Sequence, residues 1–411
     1  MDEKIAQMQK SFILPRLAAL QGLANWPDAA VPCRAQMNEL IPELCKLPYD
    51  YLFRDNGAAM AECSLLVWEY VGVDLLIANL DIYNFESEVS GAKMVFYPDH
   101  LPDIDRSDFL VKSPADLEKI RFNGLDSGRL PYLLDYAAAW TRLCGLDYSP
   151  TFCAPWSLAC SLFGLENLLV ACLTEPLFAH ELLRRCVDDL LGPMIAALSQ
   201  KLPGITTISL ADAWFSPPMV SVDMVAEFMP YIARISEASG LGLPVTNAGI
   251  WGYMFLCGED LERFCDQVSS MVGSLSVMDP DVENMDPVFF RQAATSRNVP
   301  LSLGVSTSLM QTGSIDELVD RIKRYVLAGK AGPTPLTFVF NNIGPHTPIE
   351  NIFAGLAALR IYGAPEANDE TLFVMPEVEP FEDFLERKLA DNTVGYAFEW
   401  LSKSGYAHIA R

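Results

Sequence analysis

The side chains of this 411-residue chain best suited to chemistry stand where apolar runs give way to polar residues. Asp212 follows the run 205–211 and is itself followed by Trp214, Phe215 and Ser216. A carboxylate set among aromatic rings is pushed toward a raised pKa and can serve as acid, base or ligand anchor. The structural alternative is an aspartate capping the next turn. Asn341 and Asn342 follow the run 336–340, where amides are costly to bury unless they bond something. His346 lies in the loop after them, ahead of a helix start at Thr347-Pro348 with Glu350 in its first turn. The segment 81–88 carries Asp81, Tyr83, Glu86 and Glu88. Clustered acids shift one another's pKa or hold a metal, although such loops are more often solvated. Asn247, Trp156, Trp251 and Tyr253 lie near other run ends. Aromatic walls suit a flat or apolar ligand, and core packing is the competing account.

These residues need a scaffold that brings distant run ends together. Short apolar runs at 48–54, 73–80, 150–156, 205–211, 243–248, 273–278, 300–305 and 336–340 alternate with helical stretches. The clearest helices are 176–201 and 315–328, the second opened by Ser314 with Glu317 three residues on, a capping-box pattern. Eight strands alternating with helices predict an α/β fold, a (β/α)8 TIM barrel, whose ligands bind at the carboxyl ends of the strands. Residues 1–47, with apolar residues at helical spacing and three prolines, predict an appended helical layer. The barrel is expected over 48–365, with 81–135 as a lid or side wall. A tail over 366–411, with a helix over 381–403, is expected to pack on the barrel exterior.

Composition narrows the function. Twenty-nine basic against 53 acidic residues give a net charge of −24, which disfavours nucleic acid and anionic membrane as partners. No run is apolar and long enough to span a membrane, and the charged N-terminus lacks a signal-type core, which predicts a cytoplasmic protein. The ten cysteines include no CxxC pair and read as reduced core residues. His100, His180, His346 and His408 fall in no metal-binding spacing, so no metal ligands can be assigned. No GxSxG, Walker or GxGxxG motif is present, and Gly240-Leu241-Gly242 precedes a strand rather than following one.

Several blocks in order resemble the uroporphyrinogen decarboxylase superfamily, which also holds cobamide-dependent methyltransferases. They are Asp81-Ile-Tyr-Asn-Phe-Glu-Ser-Glu-Val-Ser-Gly-Ala-Lys; Ala154-Pro-Trp-Ser-Leu-Ala with Gly164-Leu-Glu-Asn-Leu-Leu; Asp212 through Ser216-Pro-Pro-Met-Val-Ser with Phe228-Met-Pro-Tyr; Gly304-Val-Ser-Thr-Ser-Leu-Met-Gln-Thr-Gly-Ser; and Thr347-Pro-Ile-Glu-Asn. The form of the 81–93 block is similar to the methyltransferase branch. The resemblance implies a barrel with its site at the strands' carboxyl ends. It also implies methyl transfer to a cobamide carried by a corrinoid-binding partner protein.

The departures qualify this. Where thiol-activating relatives hold zinc by His-x-Cys after the fifth strand and Cys after the eighth, this chain has Thr246, Ala248 and Asn341. The arginine-rich stretch with which the decarboxylase holds a porphyrin matches 53–57, with Arg54 alone, so porphyrinogen decarboxylation is not expected. The expected activity is transfer of a methyl group from a small methoxylated, aromatic substrate to a corrinoid protein. Asp212 is the first choice for activating the ether oxygen, and His346, Glu86 and Glu88 are the alternatives. Asp81, Tyr83, Trp156, Trp214, Ser216, Asn247, Trp251, Asn341 and Asn342 are expected to bind substrate. A divalent metal is left open, zinc first, as is a homodimer. A decarboxylase or lyase of a small acid and a non-catalytic binding subunit are the competing readings.

Overall fold

The computed structural model describes residues 3–409 apart from 79, 82 and 393. Its centre is a parallel barrel of eight strands: β1 Cys33–Ala35, β2 Leu75–Leu76, β3 Thr151–Cys153, β4 Ile208–Ala211, β5 Val245–Ala248, β6 Leu275–Met278, β7 Leu301–Val305 and β8 Leu336–Phe340. Hydrogen bonds join them in two arcs, β2-β1-β8-β7-β6 and β3-β4-β5. Side chains fill both breaks in the ladder. Between β2 and β3, Glu86 Oε1 accepts the Cys153 N–H at 2.9 Å. Beyond the β5 and β6 ends, Asp281 accepts the Gly252 and Met254 N–H groups at 2.8 and 2.9 Å.

The first strand is not where the sequence places it. Residues 49–55 are helical, with a turn over Tyr51–Asp55 begun by Asp50 accepting the Tyr51 N–H. Leu52 and Phe53 are buried there beside Tyr49, a spacing that a helix satisfies as well as a strand. The strand that pairs with both β8 and β2 is Cys33–Ala35, inside the segment expected to be an appended layer. Its three residues follow Pro32 and include a charge, so no apolar run announces it. The stretch following the first strand is therefore 36–43 rather than 53–57, and Arg54 lies exposed on the surface, paired with Asp55.

Period two sorts each strand into two faces. Leu303 and Leu336 sit against Gly329 of the helix Ile315–Lys330, and Phe340 sits against Gly355 of the helix Ile349–Tyr362. That face, with Leu275, Val277, Leu301 and Phe338, is buried against the helices and carries the core. The inner face is different in kind. Thr151, Ser209 and Thr246 stand level across β3, β4 and β5, and Ser276, Ser302 and Thr337 stand level across β6, β7 and β8. Five of these six are partly exposed, as is Met278 one step on, and Ala248 is exposed outright. Parallel barrels of this type are usually filled with layers of bulky branched side chains. Here small and hydroxylated residues leave the lumen accessible.

The outer elements pack as their sequences dictate. Ser314 accepts the Glu317 N–H at 3.2 Å and opens Ile315–Lys330. Near the N-terminus Phe12 meets Trp68 edge-on at 5.0 Å, and Arg16 bonds the Val73 carbonyl at 3.0 Å. The tail helix is shorter than its apolar spacing predicts. It spans Phe381–Asp391 and stops at Asn392, which takes a left-handed conformation and accepts the Gly395 and Tyr396 N–H groups at 3.0 and 2.8 Å. Phe381 and Phe384 pack on Tyr70 of the helix Gly57–Val71 at 5.0 and 5.1 Å.

Candidate functional site

Asp212 lies directly beyond β4 and has no exposed surface. Its Oδ1 accepts both the N–H and the hydroxyl of Ser157, at 3.0 and 2.7 Å, in the first turn of the helix Pro155–Phe163. Its Oδ2 accepts from the Asn247 amide at 3.5 Å. Burial pushes its pKa up to about 7, against the lowering effect of those three donors. The strand parity that puts Thr246 and Ala248 in the lumen turns Asn247, which is fully buried, toward the helices beside Asp212. The two residues thus belong together, behind the β4 and β5 ends rather than inside the lumen. Asp212 caps a helix N-terminus while holding a carboxyl poised near neutrality.

A second buried carboxyl stands close by. Glu86, on the helix Phe85–Val89, is enclosed and is pushed up to about 7 by burial. Tyr83 lies between the two acids electrostatically. Its phenol is raised by burial, by Cys153, Asp212 and Glu86, and is eased by the Ala213 N–H just beyond β4. Of the three, Tyr83 alone keeps partial exposure, and its backbone adopts a φ of 86°. A left-handed tyrosine is uncommon and gathers at functional loops.

Asp81 and Glu88 form a separate cluster around Arg129, a residue the sequence did not single out. Arg129 pairs with Asp81, meets Glu88 Oε2 at 2.7 Å and donates to the Phe53 carbonyl at 2.7 Å. Phe85 and Phe96 flank it at 4.7 and 4.9 Å. Burial raises Asp81 to about 6, with Arg129 opposing. This network ties the long excursion after β2 to the helix Leu130–Cys144. The order Arg129-Leu130-Pro131 carries no local signal of that task.

The remaining residues divide. Trp214 and Trp251 are partly exposed beyond β4 and β5, Arg106 of the excursion stacks over Trp214 at 5.0 Å, and Ser216 accepts the Trp251 N–H at 3.1 Å. Trp156 instead packs at 5.2 Å on both Phe215 and Phe228 in the core. Asn341 follows β8 on the lumen parity of Thr337 and Val339. Asn342 faces away and donates to Glu39 at 2.6 Å. His346 lies out in solvent, its ring 3.4 Å from Glu43. The structure thus gathers Asp212, Asn247, Tyr83 and Glu86, with Trp214, Ser216 and Trp251 at the rim, and separates His346, Trp156 and Asn342 from them.

The period-two hydroxyls of the inner face were also missed. Ile208-Ser-Leu-Ala, Leu275-Ser-Val-Met, Leu301-Ser-Leu-Gly and Leu336-Thr-Phe-Val display them in the sequence. A shared position for those hydroxyls was the available signal.

The sequence profile of the family described as uroporphyrinogen decarboxylase (URO-D) matches residues 36–362. The chain belongs to this family. It is 22% identical over 364 residues to a methylated-thiol–coenzyme M methyltransferase of Methanosarcina mazei, covering 86% of this chain and 89% of that protein. A solved methyltransferase from Methanosarcina mazei superposes with a TM-score of 0.63 at 18% identity, over 85% of this chain and 98% of that one. Both relatives of this URO-D chain are thus methyltransferases, and the second establishes the shared barrel.

Zinc does not fit the residues present. Among the described residues no group of three or more His, Cys, Asp or Glu side chains is placed to hold a metal ion. Thr246, Ala248 and Asn341 offer neither imidazole nor thiolate. Among the described residues, no single helix is long and apolar enough to cross a membrane.

Proposed function

We propose that this URO-D chain is a methyltransferase that moves a methyl group from a small methoxylated, aromatic substrate to a corrinoid carried by a separate protein. The observation that carries this reading is an accessible, hydroxyl-lined lumen with two buried carboxyls near neutrality at its carboxyl end. The methyltransferase relatives support it at the level of reaction type. The corrinoid of the partner would supply the nucleophile for the methyl carbon. The work left to this chain is to hold the ether and to protonate the leaving oxygen, since an unprotonated phenoxide or alkoxide leaves poorly. Trp214 and Trp251 wall the entrance for an aromatic ring. Asp212 and Glu86, with pKa values near 7, are partly protonated at neutral pH, and Tyr83, the partly exposed member of the three, passes a proton to the oxygen.

The test is methyl transfer from a panel of methoxyarenes to reduced corrinoid protein. Asp212→Asn is expected to lower kcat by about 10²- to 10⁴-fold, the usual worth of general acid catalysis, with little change in KM. Unchanged turnover in Asp212→Ala would remove that residue from the reaction. Release of carbon dioxide from a small acid without any corrinoid protein would favour a decarboxylase instead.

A further inference from the structure

Among the described residues, Arg34 is the only charged residue on the eight barrel strands. Its neighbours Cys33 and Ala35 are in register with Phe338 and Phe340, the face that packs on the helices. Arg34 itself is in register with Leu75 and Val339, and through Val339 with Gly304 and Met278, on the lumen side. Gly304 adds no side chain to this level, and a Cβ there would fall 2.3 Å from the Val339 carbonyl. One step toward the amino ends lies the hydroxyl row Thr337, Ser302 and Ser276.

Arg129 and Arg291, both buried, are bonded to protein acceptors at their terminal nitrogens, although Arg291 Nε has no acceptor. Arg129 has Asp81 and Glu88, and Arg291 has the Gly329 and Thr334 carbonyls at 3.0 and 2.7 Å. Arg34 is partly exposed on the lumen side and, among the described residues, forms no ion pair. Its Nε is enclosed with no hydrogen-bond acceptor, and no carboxylate bears on its charge. The Ser302 hydroxyl is likewise enclosed and unpaired. Enclosed donors without acceptors are costly, and proteins pair such groups or give them to a ligand.

We infer that the lumen is an anion well in which Arg34, with Ser302 and Thr337 beside it, binds the carboxylate of a small methyl donor. The inference rests on the methyl-transfer reading for the word donor, and on the lumen alone for the carboxylate. A planar guanidinium matches a carboxylate in two parallel hydrogen bonds. With no second cation on the strands, the well offers one positive charge for one negative charge, which suits a carboxylate better than a phosphate dianion. The substrate class becomes a methoxylated aromatic acid, its acid group deep in the barrel and its ether toward Tyr83 and the rim tryptophans.

Calorimetric titration of the full chain, without corrinoid protein, tests this with 4-methoxybenzoate and its neutral counterpart 4-methoxybenzamide. The acid is expected to bind about ten-fold or more tighter than the amide, the scale of a charge-assisted pair. Arg34→Met should remove that advantage and leave the amide unaffected, and Ser302→Ala should weaken the acid by a few-fold. Because Arg34→Met keeps the apolar stem and removes a half-buried charge that no carboxylate answers, it should melt no lower than the parent, which separates lost binding from lost folding. Equal binding of acid and amide, undetectable binding of the acid, or an unchanged acid affinity in Arg34→Met would overturn the proposal. Methyl transfer from neutral ethers alone would leave the methyltransferase reading standing and remove this one.

Discussion

At the scale of single residues, the two buried carboxyls tie site chemistry to stability. Asp212 and Glu86 have folded pKa values near 7, raised by burial from 3.8 and 4.5. Below their unfolded values both are protonated folded or unfolded, and neither biases the equilibrium. Between about pH 4 and 7 the unfolded chain ionises while the fold keeps its protons, so their contribution to stability falls as pH rises and levels off above 7. Denaturant midpoints measured across that range should show this slope. Glu86→Gln, which retains an acceptor for the Cys153 N–H, should flatten it. A slope that is the same in the parent and in Glu86→Gln would assign the pH dependence elsewhere. Asp212 also shows why one residue could be noticed and half understood from sequence. Its apolar flanks were legible in Ala213-Trp214-Phe215, and the raised pKa follows from its complete burial. The Ser157 donors come from another helix, and no spacing along the chain encodes that meeting.

At the scale of elements, helix caps and apolar spacing read correctly where the signal is local, as Ser314 with Glu317 does. The β1 strand failed because three residues behind a proline form no pattern, and its place is fixed by β2 and β8 on either side. The tail helix failed at its end because Asn392 stops it through hydrogen bonds to residues not yet reached. Besides the rings on Tyr70 and the Lys388–Glu69 ion pair at 2.8 Å, a buried carboxylate holds the far end of the tail to the helix Gly57–Val71. Glu62 accepts the Ala397 and Phe398 N–H groups, the latter at 3.1 Å to Oε2. Glu62→Ala would leave buried donors unpaired, a cost of about 1–3 kcal/mol for each. Limited proteolysis should then cut the tail beyond residue 391 well before the barrel. Glu62→Gln, which keeps one acceptor oxygen, should fall between this variant and the parent.

At the scale of the whole molecule, two flanking segments that look alike in sequence carry different weight. Residues 1–47 contain β1, hydrogen-bonded on both edges, so deleting them opens the barrel between β8 and β2 and exposes two parallel strand edges. The tail adds no strand to the barrel and buries Phe381, Phe384 and Trp400 against the exterior. Burying each such ring is worth about 1.5–3 kcal/mol. A chain ending at 365 should therefore keep its barrel, with a cooperative but lower melting transition and greater self-association through the uncovered Tyr70 and Phe353 faces. A chain beginning at 48 should show no cooperative transition at all. Circular dichroism melts of the two truncations decide the matter. If the chain beginning at 48 melted cooperatively near the parent temperature, β1 could not be the strand that closes the barrel. The lumen level set by Arg34 would then lose its place beside Val339 and Gly304.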